Sequence, residues 1–354
     1  MRSIRLILGH DDPAGALGAL AAATLDRPGG GRALRKGQPV GPAEVAALAA
    51  LAVEAPGLPV SLLALDPDDL AETEAAAILG AALAGPGTAV RGQGQPRTRV
   101  VAERAGLLQV DRTALAAANA IPDISVYTLF HDTPVAAGTP LAEAKVTPLA
   151  APRARVAEAA AILRGADGAG PALRVQPFAP RRAAALVRER LAPAAAERMV
   201  GALQKKLAWL GSRLDAADVS REAGDAADVA AALERMLAGG ATLILTAGGS
   251  TSDPADAVLG ALDTLGAPLL RRGVPIHPGS LLWVAARGDA LIVGVPSCGA
   301  FSEQTSLDLL LPRLLAWGAA GLDGIEALAE GGLLTRGMDH RFPPYDTRQA
   351  APEA

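Results

Sequence analysis

Cysteine occurs once in this sequence, at Cys298, and a single thiol excludes an internal disulfide framework and any zinc site built on several cysteines. Rings are scarce too: four Phe, three Trp and two Tyr make 3% of 354 residues, although half the chain is hydrophobic. Aliphatic side chains must therefore fill the core, with much of the apolar content in alanine, a strong helix former of small volume. No apolar run reaches the roughly 18–20 residues that span a bilayer. Positive charge is not in excess either. Thirty-three Lys and Arg stand against 37 Asp and Glu, a net charge of −4, with a pI near 5.7. That balance argues against non-specific nucleic-acid binding, which rests on a cationic surface, and leaves room for a local basic pocket around one anionic metabolite. The opening stretch Met1-Arg2-Ser3-Ile4-Arg5-Leu6-Ile7-Leu8 turns polar at Gly9-His10-Asp11-Asp12. It is too short for a signal-peptide core and reads as a first β-strand of a cytoplasmic protein.

The chain is long enough to bury a large core and to divide in two. Residues 1–150 read as an α+β domain with small β elements: helices at 41–52 and 70–84, a strand at 60–65, and short strand-like pieces near 107–110, 125–130 and 141–146. Proline and glycine cluster between 151 and 180 around one helical stretch, Arg155 to Leu163, which marks a linker. Residues 181–318 alternate more regularly. Strands are predicted at 183–187, weakly near 214, and at 242–246, with a hairpin of 281–286 and 290–295. Helices are predicted at 194–210, 226–237, 255–265 and 302–317. Strands and helices alternating at this spacing imply an α/β domain, a mainly parallel sheet with helices on both faces, and place ligands beyond the carboxyl ends of its strands. Residues 319–354 form a tail whose first part packs on the domain and whose last ten or so residues are expected to be disordered.

The segment richest in chemistry is Leu243-Ile244-Leu245-Thr246-Ala247-Gly248-Gly249-Ser250-Thr251-Ser252-Asp253-Pro254-Ala255-Asp256. A buried strand runs into two glycines and three hydroxyl residues, and a helix begins with Asp253 at the N-cap and Pro254 at the first position. Glycines admit a ligand close to the backbone, and free amides at a helix start favour an oxyanion. An ordinary capped strand-to-helix turn looks the same in isolation. Two further loops join it: Gly273-Val274-Pro275-Ile276-His277-Pro278-Gly279 after the next helix, and Gly294-Val295-Pro296-Ser297-Cys298-Gly299 after the hairpin.

Together these three loops resemble the active-site loops of the molybdopterin molybdotransferase family, over roughly 182–318. That family inserts molybdate into adenylylated molybdopterin and shares its molybdopterin-binding domain with the adenylyltransferase of the same pathway. The resemblance implies that Gly248, Gly249, Ser250, Thr251, Ser252, His277, Pro278, Gly279, Ser280, Pro296 and Ser297 contact the pterin nucleotide. It also implies that Asp256 and Asp225 act around a divalent metal, magnesium, at the adenylyl phosphates, and magnesium suits one or two carboxylates plus substrate oxygens. Helix capping at Asp225 and interaction with a helix dipole at Asp256 are the plainer alternatives.

Two departures separate the functional readings. The family usually carries lysines flanking the Pro-Gly of the second loop, where this chain has His277 and Ser280; these donate hydrogen bonds but supply far less positive charge at neutral pH. The third loop continues Ser297-Cys298-Gly299 where the family reads Gly-Asn-Pro. The chain is therefore similar either to an enzyme that inserts molybdate and releases AMP, or to a carrier that holds molybdopterin and hands it to an apo-molybdoenzyme. A nucleotide pyrophosphatase on the same domain is a third reading. In the first half, Arg32 to Val45 and Ala137 to Val146 resemble a divergent subgroup of stand-alone molybdopterin-binding proteins that accompany molybdenum hydroxylases in bacteria, and the family implies a homodimer. Cys298 reads as a small buried hydrophobe, with approach of its thiolate to molybdenum as the alternative. Lys205-Lys206 and Arg35-Lys36 read as solvated surface charge, with anion contacts from a second subunit as the alternative for Arg35-Lys36. His10, His131 and His340, each beside an aspartate, read as poor metal sites, because neighbours on an extended chain face opposite ways.

Overall fold

Alternating burial along the first strand shows how this chain begins: in the computed structural model, Leu6 and Leu8 face a core and the residue between them does not. The structure describes residues 1–92, 94–165, 170–188, 191–220, 224–247, 253, 255–296, 298 and 304–345. The chain falls into two units.

The first unit comprises Met1–Val101, Val110–Leu129 and Pro140–Arg174. Strand Arg2–Ile7 pairs antiparallel with Pro59–Ala64, whose other edge takes Leu20–Ala21. The helix Pro42–Glu54 covers this sheet with Leu48 and Leu51. It begins with proline, and Glu44 folds back to accept a hydrogen bond from the Gly41 amide at 3.0 Å, a local start signal legible in the sequence. A second sheet has the order Ile124–Thr128, Pro140–Val146, Thr98–Ala102, Thr88–Arg91. Across it Tyr127, Glu143 and Arg99 form one row of directly paired residues. The Arg99 guanidinium donates twice to Glu143, at 2.8 and 3.0 Å, and holds its carboxyl below the usual carboxylate range, aided by the Tyr127 hydroxyl. The helical stretch expected at 155–163 runs Arg153–Arg164 and stops at Gly165 in the left-handed region.

The second unit comprises Ala102–Gln109, Phe130–Thr139 and Val175–Ala354. Its main elements are β1 (Arg182–Arg188), α1 (Pro193–Trp209), β2 (Arg213–Ser220), α2 (Ala226–Ala238) and β3 (Leu243–Ala247). They continue as α3 (Ala257–Leu265), β4 (Leu269–Arg272), β5 (Trp283–Arg287), β6 (Ala290–Val295) and α4 (Ser306–Trp317). One six-stranded sheet runs β2-β1-β3-β6-β5-β4. The pairs β1–β2, β1–β3 and β3–β6 are parallel; β6–β5 and β5–β4 are antiparallel. Strand period sorts the core. Ala183, Ala185 and Val187 of β1 with Leu243 and Leu245 of β3 pack with Met199, Leu203 and Leu207 of α1 and with Leu307 to Leu315 of α4. Ala184, Leu186 and Ile244 pack instead with Val229 and Leu233 of α2 and Val258 and Leu262 of α3. Each such leucine contributes about 1.5–3 kcal/mol by leaving water.

Several sequence expectations need correction. β4 has no counterpart among the predicted strands, and α4 begins at Ser306, not near 302. Asp253 does not cap α3: its carboxylate binds the Ala255 amide at 2.9 Å and forms a separate turn, and Asp256 caps the helix instead. Lys206 is not solvated; only 2% of its surface is exposed. Cys298 is exposed, not buried. His131 Nε2 lies 3.4 Å from Asp132 Oδ1, because Asp132 takes a positive φ of 63° and the pair is not extended. The first part of the tail does join the core, through Phe342 and Tyr345, while residues 346–354 lie outside the described residues. Among the described residues no helix is long and apolar enough to cross a membrane.

Candidate functional site

Register places the points at which the three loops leave the strands on one edge of the sheet. Arg272, Trp283, Gly294, Thr246 and Leu186 are successive cross-strand partners over β4, β5, β6, β3 and β1. Because β4 and β6 are each antiparallel to β5, β4 runs in the direction of the parallel strands. The loop after β4, the loop after β3 and the loop after β6 therefore all leave from the carboxyl edge, where open α/β sheets bind ligands. Gly294 lies inside β6, not in the loop after it; a Cβ there would overlap the indole of Trp283, so glycine is what lets the tryptophan lie across the strand.

Asp225 and Asp256 both sit at helix starts on this edge. Asp225 caps α2: its Oδ1 accepts from the Asp228 amide at 2.9 Å, and the Asp228 carboxylate returns to the Asp225 amide at 3.4 Å. Asp256 caps α3: one carboxylate oxygen accepts from Val258 N at 2.8 Å and Leu259 N at 3.3 Å. The two helix starts are neighbours, since a Cβ at Gly260, one turn into α3, would stand 3.2 Å from Ala226 Cβ. Both carboxylates therefore have a structural task, whatever else they do. Asp225→Ala is expected to cost about 1 kcal/mol and Asp225→Asn a small fraction of that, because asparagine caps equally well; urea unfolding of the two variants measures it.

The second loop is gripped on two sides. The amide and hydroxyl of Ser306, the first residue of α4, donate to Pro278 O at 3.0 Å and Gly279 O at 2.7 Å. His277 N donates to Gly332 O at 2.7 Å, and Leu334 N donates to His277 O at 2.8 Å. Gly279 is buried with φ of 106°, while His277 and Ser280 are exposed and Pro278 is half-buried. The side chains of His277 and Ser280 thus reach solvent from a backbone that is fixed. Arg188 ends β1 on the same edge, but its guanidinium forms two 3.0 Å bonds to Asp218 and holds that carboxyl below its ordinary range.

Of the positions singled out in the sequence, Asp225, Asp256, His277, Pro278, Gly279, Ser280 and the half-buried Pro296 come to this edge. Gly248, Gly249, Ser250, Thr251, Ser252 and Ser297 lie outside the described residues. Among the described residues no group of three or more His, Cys, Asp or Glu is placed to hold a metal ion. Sequence reasoning missed Arg272, an exposed guanidinium residue closing β4 at this edge. It also missed Thr305, Ser306 and Asp308. The Thr305-x-x-Asp308 spacing ahead of an apolar run is a capping-box signature that could have found them.

No protein-family model matches the chain, and no curated protein matches it. Among solved structures it is similar to the molybdopterin biosynthesis enzyme MoaB of Thermus thermophilus, at 21% identity over 41% of this chain and 97% of that one, with a TM-score of 0.31. A molybdopterin biosynthesis MoeA protein from Pyrococcus horikoshii matches at 11% identity over 90% of this chain and 76% of its own, TM-score 0.30. A molybdopterin biosynthesis protein from Mycobacterium abscessus matches at 18% identity over 42% and 97%, TM-score 0.25.

Proposed function

We propose that the carboxyl edge of the six-stranded sheet binds molybdopterin or its adenylylated form, and that the chain serves molybdenum-cofactor biosynthesis. The observation that carries this reading is that three segments, each resembling a molybdotransferase loop in sequence, leave the sheet from one edge, marked by the cross-strand row from Leu186 of β1 to Arg272 of β4. Fixed backbone around Pro278–Gly279 and the capped starts of α2 and α3 suit a planar heterocycle that carries phosphates. Asp225 and Asp256 are the carboxylates that would hold magnesium. Two carboxylates fit a cation that completes its shell with phosphate oxygens and water, and the charge it supplies would offset that of the adenylyl phosphates. In the enzyme reading, the two dithiolene thiols would replace one oxide of molybdate, which leaves with their protons as water, and water would attack the phosphoanhydride to give AMP and the pterin's terminal phosphate.

A second reading, the carrier, is favoured by one observation. His277 and Ser280 stand exposed where cationic side chains would neutralise molybdate, and a carrier needs no such neutralisation. The partner would then be an apo-molybdoenzyme, and the working form of either protein a homodimer.

The experiment compares wild type with Asp256→Asn and Asp256→Ala. Binding of molybdopterin and adenylylated molybdopterin is measured at equilibrium, and AMP release is followed with and without molybdate and magnesium. Asparagine keeps the helix cap, so Asp256→Asn is expected to unfold within about 0.5 kcal/mol of wild type, whereas Asp256→Ala also loses the cap. If the carboxylate acts on the metal, AMP release falls about 100-fold in both variants. Binding without AMP release in wild type selects the carrier. Absence of binding to either pterin sinks the proposal, and turnover of ADP-ribose would transfer it to the pyrophosphatase reading.

A further inference from the structure

The C-terminal segment meets the second loop at one end and the start of α4 at the other. At Gly332 and Leu334 it forms the short bridge to His277, with hydrogen bonds of 2.7 and 2.8 Å. Thirteen residues on from Gly332, Tyr345 is buried in the core, its ring edge-on to Trp209 at 6.4 Å. The Tyr345 hydroxyl donates to Asp308 Oδ1 at 2.7 Å. Lys206 of α1 pairs with that same oxygen and lies 4.9 Å from the centre of the tyrosine ring. The second oxygen of Asp308 accepts from the Thr305 amide at 3.0 Å and the Thr305 hydroxyl at 2.8 Å. Ser306, next in the chain, holds Pro278 and Gly279. A connected path therefore leads from Tyr345 through Asp308 and Thr305 to the backbone of the loop.

Core filling alone gives a poor account of this path. Apolar residues of similar volume serve stability as well as a buried ion pair or better. Here one oxygen of a single carboxylate fixes the start of the helix that abuts the loop, and the other ties that turn to the tail and to α1. We propose that Tyr345, Asp308 and Thr305 are positioning residues for the pterin-nucleotide site, and that segment 331–345 belongs to that site as a strap fixing the loop 273–280. The assignment of the ligand rests on the function proposed above; the fixing of the loop does not.

Tyr345→Phe removes one hydroxyl and keeps the ring, and Thr305→Val removes one hydroxyl at nearly constant volume. Amide hydrogen exchange of the full-length, ligand-free protein is followed in peptides covering 273–281 and, for comparison, α2 and α3. Both variants are expected to speed exchange in 273–281 by about fivefold, the equilibrium worth of one net hydrogen bond, with α2 and α3 unchanged. Binding of adenylylated molybdopterin is expected to weaken by a similar factor. A uniform speed-up across the second unit, or unchanged exchange in 273–281, overturns the positioning role. If wild type binds no pterin nucleotide while the loop alone loosens, the ligand assignment fails and the strap stands.

Discussion

Lys206→Met is expected to lower the stability of the protein by about 3–5 kcal/mol, because it leaves a buried carboxylate without its cation. Lys206 is 2% exposed and Asp308 fully buried. Methionine retains most of the stem's volume, so the loss reports the charge and not a cavity. The remaining donors, Tyr345 and Thr305, place the expected loss nearer about 3 than about 5 kcal/mol. Lys206→Met/Asp308→Leu removes both charges but also strips Tyr345 and Thr305 of their acceptor, so its loss is expected to fall about 2 kcal/mol short of the Lys206→Met and Asp308→Leu losses added. Denaturant unfolding of wild type, both single variants and the double variant gives the coupling directly. A single-variant loss below about 1 kcal/mol would mean that water reaches the pair, as at an exposed ion pair.

The same lysine shows where sequence reading succeeds and where it stops. Met199, Leu203, Lys206 and Leu207 follow the helical stripe that α1 turns inward, so the burial of position 206 was legible in its spacing. A lysine on that stripe needs an anionic partner, and Asp308 lies 102 residues further along; no local pattern supplies that. The parallel strands were legible because β1, β3 and β6 are short aliphatic runs buried at nearly every position. β4 was not, since Leu269-Leu270-Arg271-Arg272 is largely exposed and owes its strand geometry to pairing with β5. At the start of α3 two aspartates compete within four residues. Both make Asx-type bonds, and propensity alone does not say which of them opens the helix. The candidate site divides in the same way. Asp225, Asp256 and the Pro278–Gly279 loop stand out only through their resemblance to a family's motifs, whereas the tail that grips His277 is joined to it by main-chain atoms, which leave no mark in side-chain identity.

Gly279→Ala is expected to act on stability and binding together, because two independent costs meet at one Cβ. With φ of 106° the residue occupies a region that side chains of L-residues rarely adopt, a strain of order 1–3 kcal/mol. The new methyl would also overlap the hydroxyl of Ser306, whose Oγ already donates to Gly279 O at 2.7 Å. Relief requires the loop to withdraw from the first turn of α4, which breaks the serine bond and the amide bond to Pro278. The summed effect is roughly 2–4 kcal/mol by denaturant unfolding, and, on the function proposed above, the affinity for adenylylated molybdopterin falls by about tenfold or more as the loop leaves the sheet edge. Gly279→Ala/Ser306→Ala separates the two costs. Removing the hydroxyl relieves the overlap but not the dihedral strain, so the double variant is expected to lie about 1 kcal/mol closer to wild type than the two single losses added. Strict additivity would show that the serine and the loop are not coupled, and that Gly279 matters only for its backbone dihedral. Unchanged binding in the single variant would remove the loop from the ligand site altogether.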